Sequence, residues 1–284
     1  RVRTSLSFGL CLWAGTVQAQ TMRPFSTFRQ LHGETRLNAR VEYGAGSLRI
    51  EPGPPGELYR MNLSYDEDRF IPISDFDASS RTVVLGLRAA GEGGVRVVSG
   101  SQLRQLATLA ISPRADLALD LSLGAVDAEV ELGGLRISDL DLKTGASRAT
   151  VRFSRPNGMR CRHAAFSAGA AEVSILGLGN SRCDEIEFEG GMGTVLLDFS
   201  GTWSSSADVE VKMAVGELTL RLPRRVGVRI AMDKFLSSFE PAGLIQRGDG
   251  FVSSNYDRAE HHLNLDLTTA MGGVKVEWIE ESRK

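Results

Sequence analysis

The sequence predicts an all-β chain wound into a β-solenoid, a parallel β-helix-like stack of rungs of about 22 residues with capped ends. A recurring phrase, alternation of apolar residues and small residues at fixed places predict it. The ten-residue phrase reads apolar, two variable residues, glycine, one variable, small, one variable, apolar, one variable, apolar. It runs Leu121 to Val130, Leu142 to Val151, Phe166 to Ile175, Phe188 to Leu197 and Val211 to Leu220, and copies at Val41 to Ile50 and Leu267 to Val276 lie outside this block.

Each phrase alternates with period two on both sides of its centre, as Leu119 and Leu121 then Ala128 and Val130 illustrate. That period is strand with one buried face. The fourth and sixth positions are mostly small, which suits a tight corner or a close backbone approach. Corner glycines are expected at Gly44, Gly46, Gly124, Gly145, Gly169, Gly191, Gly193, Gly216 and Gly272, with Ala214 and Ala270 filling the fourth place in two copies. A unit this short cannot bury a face alone, so units must stack with like positions about 4.8 Å apart. The eighth and tenth positions then form interior columns, and the ninth faces solvent.

Residues 1–19 read as a secretory leader. Arg1 and Arg3 precede an apolar centre from Leu6 to Val17, and Val17-Gln18-Ala19 precedes a cleavage point. The apolar run is too short for a stable transmembrane helix. Leu10 before Cys11 departs from a lipoprotein signal. Without the two leader arginines, 31 basic residues face 35 acidic ones, a net charge of −4. No basic stripe marks a nucleic-acid or anionic-membrane surface, so neither is expected as partner, and no further stretch reads as an integral membrane segment.

Residues 20–113 read as an N-terminal β module, with strands at Leu58 to Tyr65, Thr82 to Leu87 and Val95 to Val98 after the turn Glu51 to Gly56. Gln102 to Ile111 fits a short helix or a strand. Asp66-Glu67-Asp68 and Asp75-Phe76-Asp77 offer oxygens for a hard cation but lack the spacing of a calcium loop, and solvated hairpin tips are the preferred reading. Residues 114–284 form the solenoid, with an insertion at 231–262 whose Phe235, Leu236, Phe239, Leu244 and Ile245 suit an end cap.

Cys161 and Cys183 each lie five residues before a phrase, so stacking brings them together. In an exported chain a disulfide is expected there rather than two thiols. His163 lies near Cys161, but no tetrahedral ligand set is evident, and His261-His262 lacks convergent partners. No metal, cofactor or catalytic residue is assigned. The seventh-position column, Asp127, Arg148, Glu172, Thr194 and Glu217, has the residue types of a polysaccharide-cleaving site. Stacking puts Asp127 and Glu172 about 10 Å apart with Arg148 between them, the pattern of ordinary solvated charge pairing.

The runs Leu119 to Ala125, Leu140 to Ser147, Asn255 to Leu267 and Gly272 to Val276 resemble the bacterial toast-rack family of adhesin-like proteins. That family is related to the C-terminal β-solenoid domain of Lia-type envelope-stress proteins, the cell-wall-active antibiotic response proteins. The resemblance implies the solenoid fold and no catalytic residues. Lia-type regulators carry transmembrane helices before this domain, a departure from the leader read here. The expectation is an exported, non-enzymatic solenoid of the periplasm or cell surface with a structural, adhesin-like or interaction role. Its partner would be an envelope protein or glycan; the alternative is a sensing module of an envelope-stress response.

Overall fold

A computed structural model describes residues 21–90 and 104–279, and the strands among them join one continuous sheet. The leader and the Val95 to Val98 run lie outside the described residues. The middle of the molecule is a parallel stack in which each strand is one long rung, bent at the small residues of the phrase. Its members are β7 (Asp116–Glu131), the broken rung β8 (Arg136–Thr144) and β9 (Arg148–Arg152), β10 (Cys161–Leu176), β11 (Cys183–Asp198) and β12 (Ala207–Pro223).

Like positions of the phrase lie over one another. The tenth-position column pairs Val130 with Val151, Val151 with Ile175, Ile175 with Leu197 and Leu197 with Leu220. The first-position column runs Leu121, Leu142, Phe166, Phe188 and Val211, every member at most 2% exposed. Along β10, Ala164 and Phe166 face inward before the corner, whereas Ala171, Val173 and Ile175 do so after it. The odd step between the two sets is what the bend does: it exposes two successive residues, Gly169 and Ala170, and then restores the alternation.

Side-chain amides hold the turns between rungs. Asn157, 1% exposed, accepts from the Ile137 N–H and donates to the Ile137 carbonyl, both at 2.8 Å. Asn180 donates to the Phe153 carbonyl at 2.9 Å and accepts from the Thr202 N–H at 2.8 Å. Turn backbone that would otherwise be buried without partners is satisfied in this way.

Both ends of the stack are closed by strands distant in sequence. At one end β2 (Arg36–Pro52) pairs in parallel with β7, Val41 on Leu121 and Ile50 on Val130. The next layer is split, β5 (Thr82–Ala89) covering the first half of β2 and β6 (Leu106–Ile111) the second. Gln102 to Ile111 therefore supplies a strand from Leu106 onward. Antiparallel strands finish this end: β4 (Phe70–Asp77) on β5, β3 (Glu57–Asp66) on β6, and β1 (Met22–Gln30) on β3.

At the other end β16 (His262–Ile279) pairs directly with β12, Leu267 on Val211 and Val276 on Leu220. The intervening β13 (Gly227–Glu240) lies on the far side of β16, Met232 on Leu267 and Phe239 on Val274. The residues beyond 231, read from sequence as an insertion, thus hold the second half of a rung, followed by the short antiparallel strands β15 (Gly250–Val252) and β14 (Ile245–Arg247). Phe239, Leu244 and Phe251 pack against the core, while Phe235, Leu236 and Ile245 are exposed.

Candidate functional site: the corner face of the solenoid

Where the rungs bend, the second, fourth and fifth positions of successive phrases face outward and make a surface that crosses the whole stack. The fourth-position column is short of side chains. A Cβ on Gly191 would stand 2.7 Å from the Gly169 carbonyl oxygen, and one on Gly169 would stand 3.0 Å from that of Gly145. These rungs therefore approach backbone to backbone. The lack of side chains leaves a groove of about 990 Å³ running from β7 to β13, perpendicular to the strands.

One wall of the groove is the second-position column, which reads Lys143, Ser167, Glu189, Lys212, Thr268 and Asp233 from β8 to β13. Lys143 donates to Asp141 and Lys212 to Glu210, each at 2.7 Å. The hydrogen bond from each ammonium to its carboxylate holds its pKa above the usual lysine value. Beside the groove, the fifth-position column rises from alanine to large apolar side chains. Ala170 is followed by Met192, Val215, Met271 and Leu236, the last four 62%, 36%, 50% and 60% exposed. Phe235 closes the groove at the β13 end and is 81% exposed. A continuous exposed apolar row of this kind marks an interaction surface more often than scattered single residues do.

Of the residues singled out from sequence, the corner glycines Gly124, Gly145, Gly169 and Gly191 and the expected cap residues Phe235 and Leu236 lie on this face, and the others fall elsewhere. Cys161 and Cys183 lie opposite each other in β10 and β11 and are joined by a disulfide with Cα atoms 4.2 Å apart. Arg148 donates to Glu172 at 3.1 Å on the open surface, and Asp127 lies beside Arg148 in the neighbouring rung. Asp66, Glu67 and Asp68 form the β3–β4 turn: Asp66 accepts from the Asp68 N–H and pairs with Arg69, and Glu67 pairs with Arg23. Asp77 caps the following turn. It accepts from the Ser79 hydroxyl at 2.7 Å, the Ser80 hydroxyl at 2.8 Å and the Ser79 N–H at 2.8 Å, and these bonds lower its pKa to about 2. His163 approaches Glu187 at 3.6 Å, and His262 stacks edge-on against Tyr256 and bonds its carbonyl oxygen. Among the described residues no group of three or more His, Cys, Asp or Glu side chains is arranged to hold a metal ion, and no helix is long and apolar enough to cross a membrane.

Of the apolar row, Leu236 is read from sequence as a cap residue and the others only as letters of the phrase. Its signal, Met192, Val215 and Met271 at one place in successive copies, acquires meaning only once that place is known to face outward.

The family model described as the N-terminal domain of toast_rack, DUF2154, matches residues 17–176. Among solved structures, a protein assigned to cell adhesion from Clostridium sporogenes is similar over 90% of this chain and 100% of its own, at 17% identity and a TM-score of 0.48. A protein assigned as an adhesin from Bacteroides fragilis is similar over 90% of this chain and 97% of its own, at 10% identity and a TM-score of 0.39. No curated protein matches the sequence.

Proposed function

Starting from the fact that this chain belongs to the toast-rack family, we propose that it is an exported, non-enzymatic β-solenoid with an adhesin-like structural or interaction role at the bacterial cell envelope. The observation that carries this reading is the in-register stack itself. Rungs locked by strand pairing on both sides and stapled at Cys161–Cys183 present a stiff, extended outer surface of fixed spacing. Such a surface suits recognition of an envelope protein or a repeating glycan. A leader at residues 1–19 and a disulfide both fit an oxidising compartment outside the cytosol. In this reading residues 20–113 are a capping module and residues 114–284 the solenoid proper.

The Asp127, Arg148, Glu172 column supports no reaction in this reading, because Arg148 and Glu172 pair with each other on a flat, open surface. Cell fractionation followed by crosslinking in the intact envelope tests the proposal. The expected result is a processed chain outside the cytosol, linked to envelope protein or glycan; a cytosolic, unprocessed chain overturns it. Cleavage of envelope polysaccharide by the purified chain, abolished in Glu172→Gln, would overturn the non-enzymatic part. The family relationship favours one second reading, a sensing module of an envelope-stress response. It predicts that deleting the protein changes the induction of such a response rather than attachment.

A further inference from the structure

From the corner face we infer that the solenoid pairs with a second copy of itself, antiparallel and corner to corner, about a two-fold axis between β11 and β12. The inference rests on the order of residues in three columns. Six of the groove's seven rungs enter the pairing, the β8–β9 rung, β10, β11, β12, β16 and β13, while β7, with uncharged Ser122, Gly124 and Ala125 at the same three positions, overhangs beyond the last pair. A two-fold axis lying in the contact plane and perpendicular to the solenoid axis lays each column on itself in reverse. The first rung then meets the sixth of the other copy, the second the fifth, and the third the fourth.

Under that operation the second-position column, Lys143, Ser167, Glu189, Lys212, Thr268, Asp233, is self-complementary in charge. Lys143 meets Asp233 of the second copy, Ser167 meets Thr268, and Glu189 meets Lys212, and the axis repeats each pair. Within this column no like charges oppose one another. The fifth-position column is complementary in size, with Ala170 opposite Met271 and Met192 opposite Val215, while Leu236 faces the small Ala146. In the fourth-position column, Phe235 at one end meets Gly145, where no side chain obstructs it.

Because every copy repeats the same strand spacing, registering one pair registers all six. Lys143 and Lys212 are half-exposed in their present contacts with Asp141 and Glu210, and ion pairs in water exchange partners at little cost. The contact covers the exposed Met192, Val215, Met271, Leu236 and Phe235, and the two grooves face each other to form a channel. Six rungs span roughly 24 Å, which gives a contact at the small end of specific interfaces. The dimer should therefore depend on concentration.

Sedimentation of the full chain over a concentration series, joined to a crosslink, tests this pairing. Lys143→Cys and Asp233→Cys lie five rungs apart in one chain, roughly 24 Å, too far for an internal bond, but opposite each other in the pair. The expected result is a covalent dimer of this double variant under oxidation. Met192→Asp with Val215→Asp should leave a monomer, with far-UV circular dichroism and the Cys161–Cys183 bond unchanged. Glu189→Lys should weaken association about tenfold or more, and adding Lys212→Glu should restore it. A chain that stays monomeric at every concentration overturns the inference, whatever else binds the face. So does a dimer that ignores Met192→Asp with Val215→Asp, or one in which the cysteine pair fails to crosslink.

Discussion

Gly216 shows how much of the stack rests on single atoms. Its φ is 137°, and a Cβ there would lie 1.9 Å from the Gly193 carbonyl oxygen of the rung below. Gly216→Ala therefore combines a disfavoured backbone conformation with a backbone clash, and should cost about 2–4 kcal/mol in urea unfolding. In the interior, Val195→Ala or Leu218→Ala removes methyl groups from a closed column and should cost about 1–4 kcal/mol by the same measurement. Thr150→Ala, in the ninth-position row, should change stability by less than about 0.5 kcal/mol. Asp77 gives a pH signature. Its folded pKa lies below its unfolded one, so its contribution is present above the ordinary aspartate range and is lost as pH falls through about 2. Nuclear magnetic resonance titration of the Asp77 carboxyl should give a midpoint near that value, and Ser79→Ala with Ser80→Ala should return it toward the ordinary range.

At the scale of elements, β16 and β13 explain each other. β16 carries the full phrase, with Leu263, Leu265, Leu267, Gly272, Val274 and Val276, and can be covered on both faces of its ladder by β12 and β13. β13 keeps Val228 and Ile230 but puts Lys234, Phe235 and Ser237 through the bend, so it is suited to the end, where one side stays partly open. Removing residues 262–284 should therefore release β13 as well, because its parallel partner is gone. Hydrogen exchange should then show loss of protection across 227–252 with the β10–β11 pair retained. The disulfide acts between two central rungs of the stack, β10 and β11. Its removal in Cys161→Ser with Cys183→Ser frees a loop with a sequence separation of 22 and should cost about 3 kcal/mol in the chain-entropy model, measured by thermal unfolding.

For the whole molecule, nearest-neighbour stacking implies a gradient of stability. Interior rungs such as β10 and β11 have two partners each, whereas β1 and β14 have one. Native-state exchange should be slowest at the centre of β10 and β11 and faster toward both ends.

The sequence by itself determined what each rung looks like. The alternation fixes which side chains are inside, the small residues fix the bend, and the repeat places Cys161 over Cys183. These are short-range consequences of strand geometry and need no knowledge of the rest of the chain. For strands outside the regular block it could not determine where they enter the stack. The tertiary structure decided that β2 lies on β7 across the whole N-terminal module, and that β16 enters between β12 and β13. It also decided that the fifth position becomes an outward row of Met192, Val215, Met271 and Leu236. The reason is physical: any phrase-bearing strand can pair with any other, since backbone hydrogen bonds carry no address. The choice among them is made by how the side chains fill the shared interior and which strand best tolerates an exposed edge.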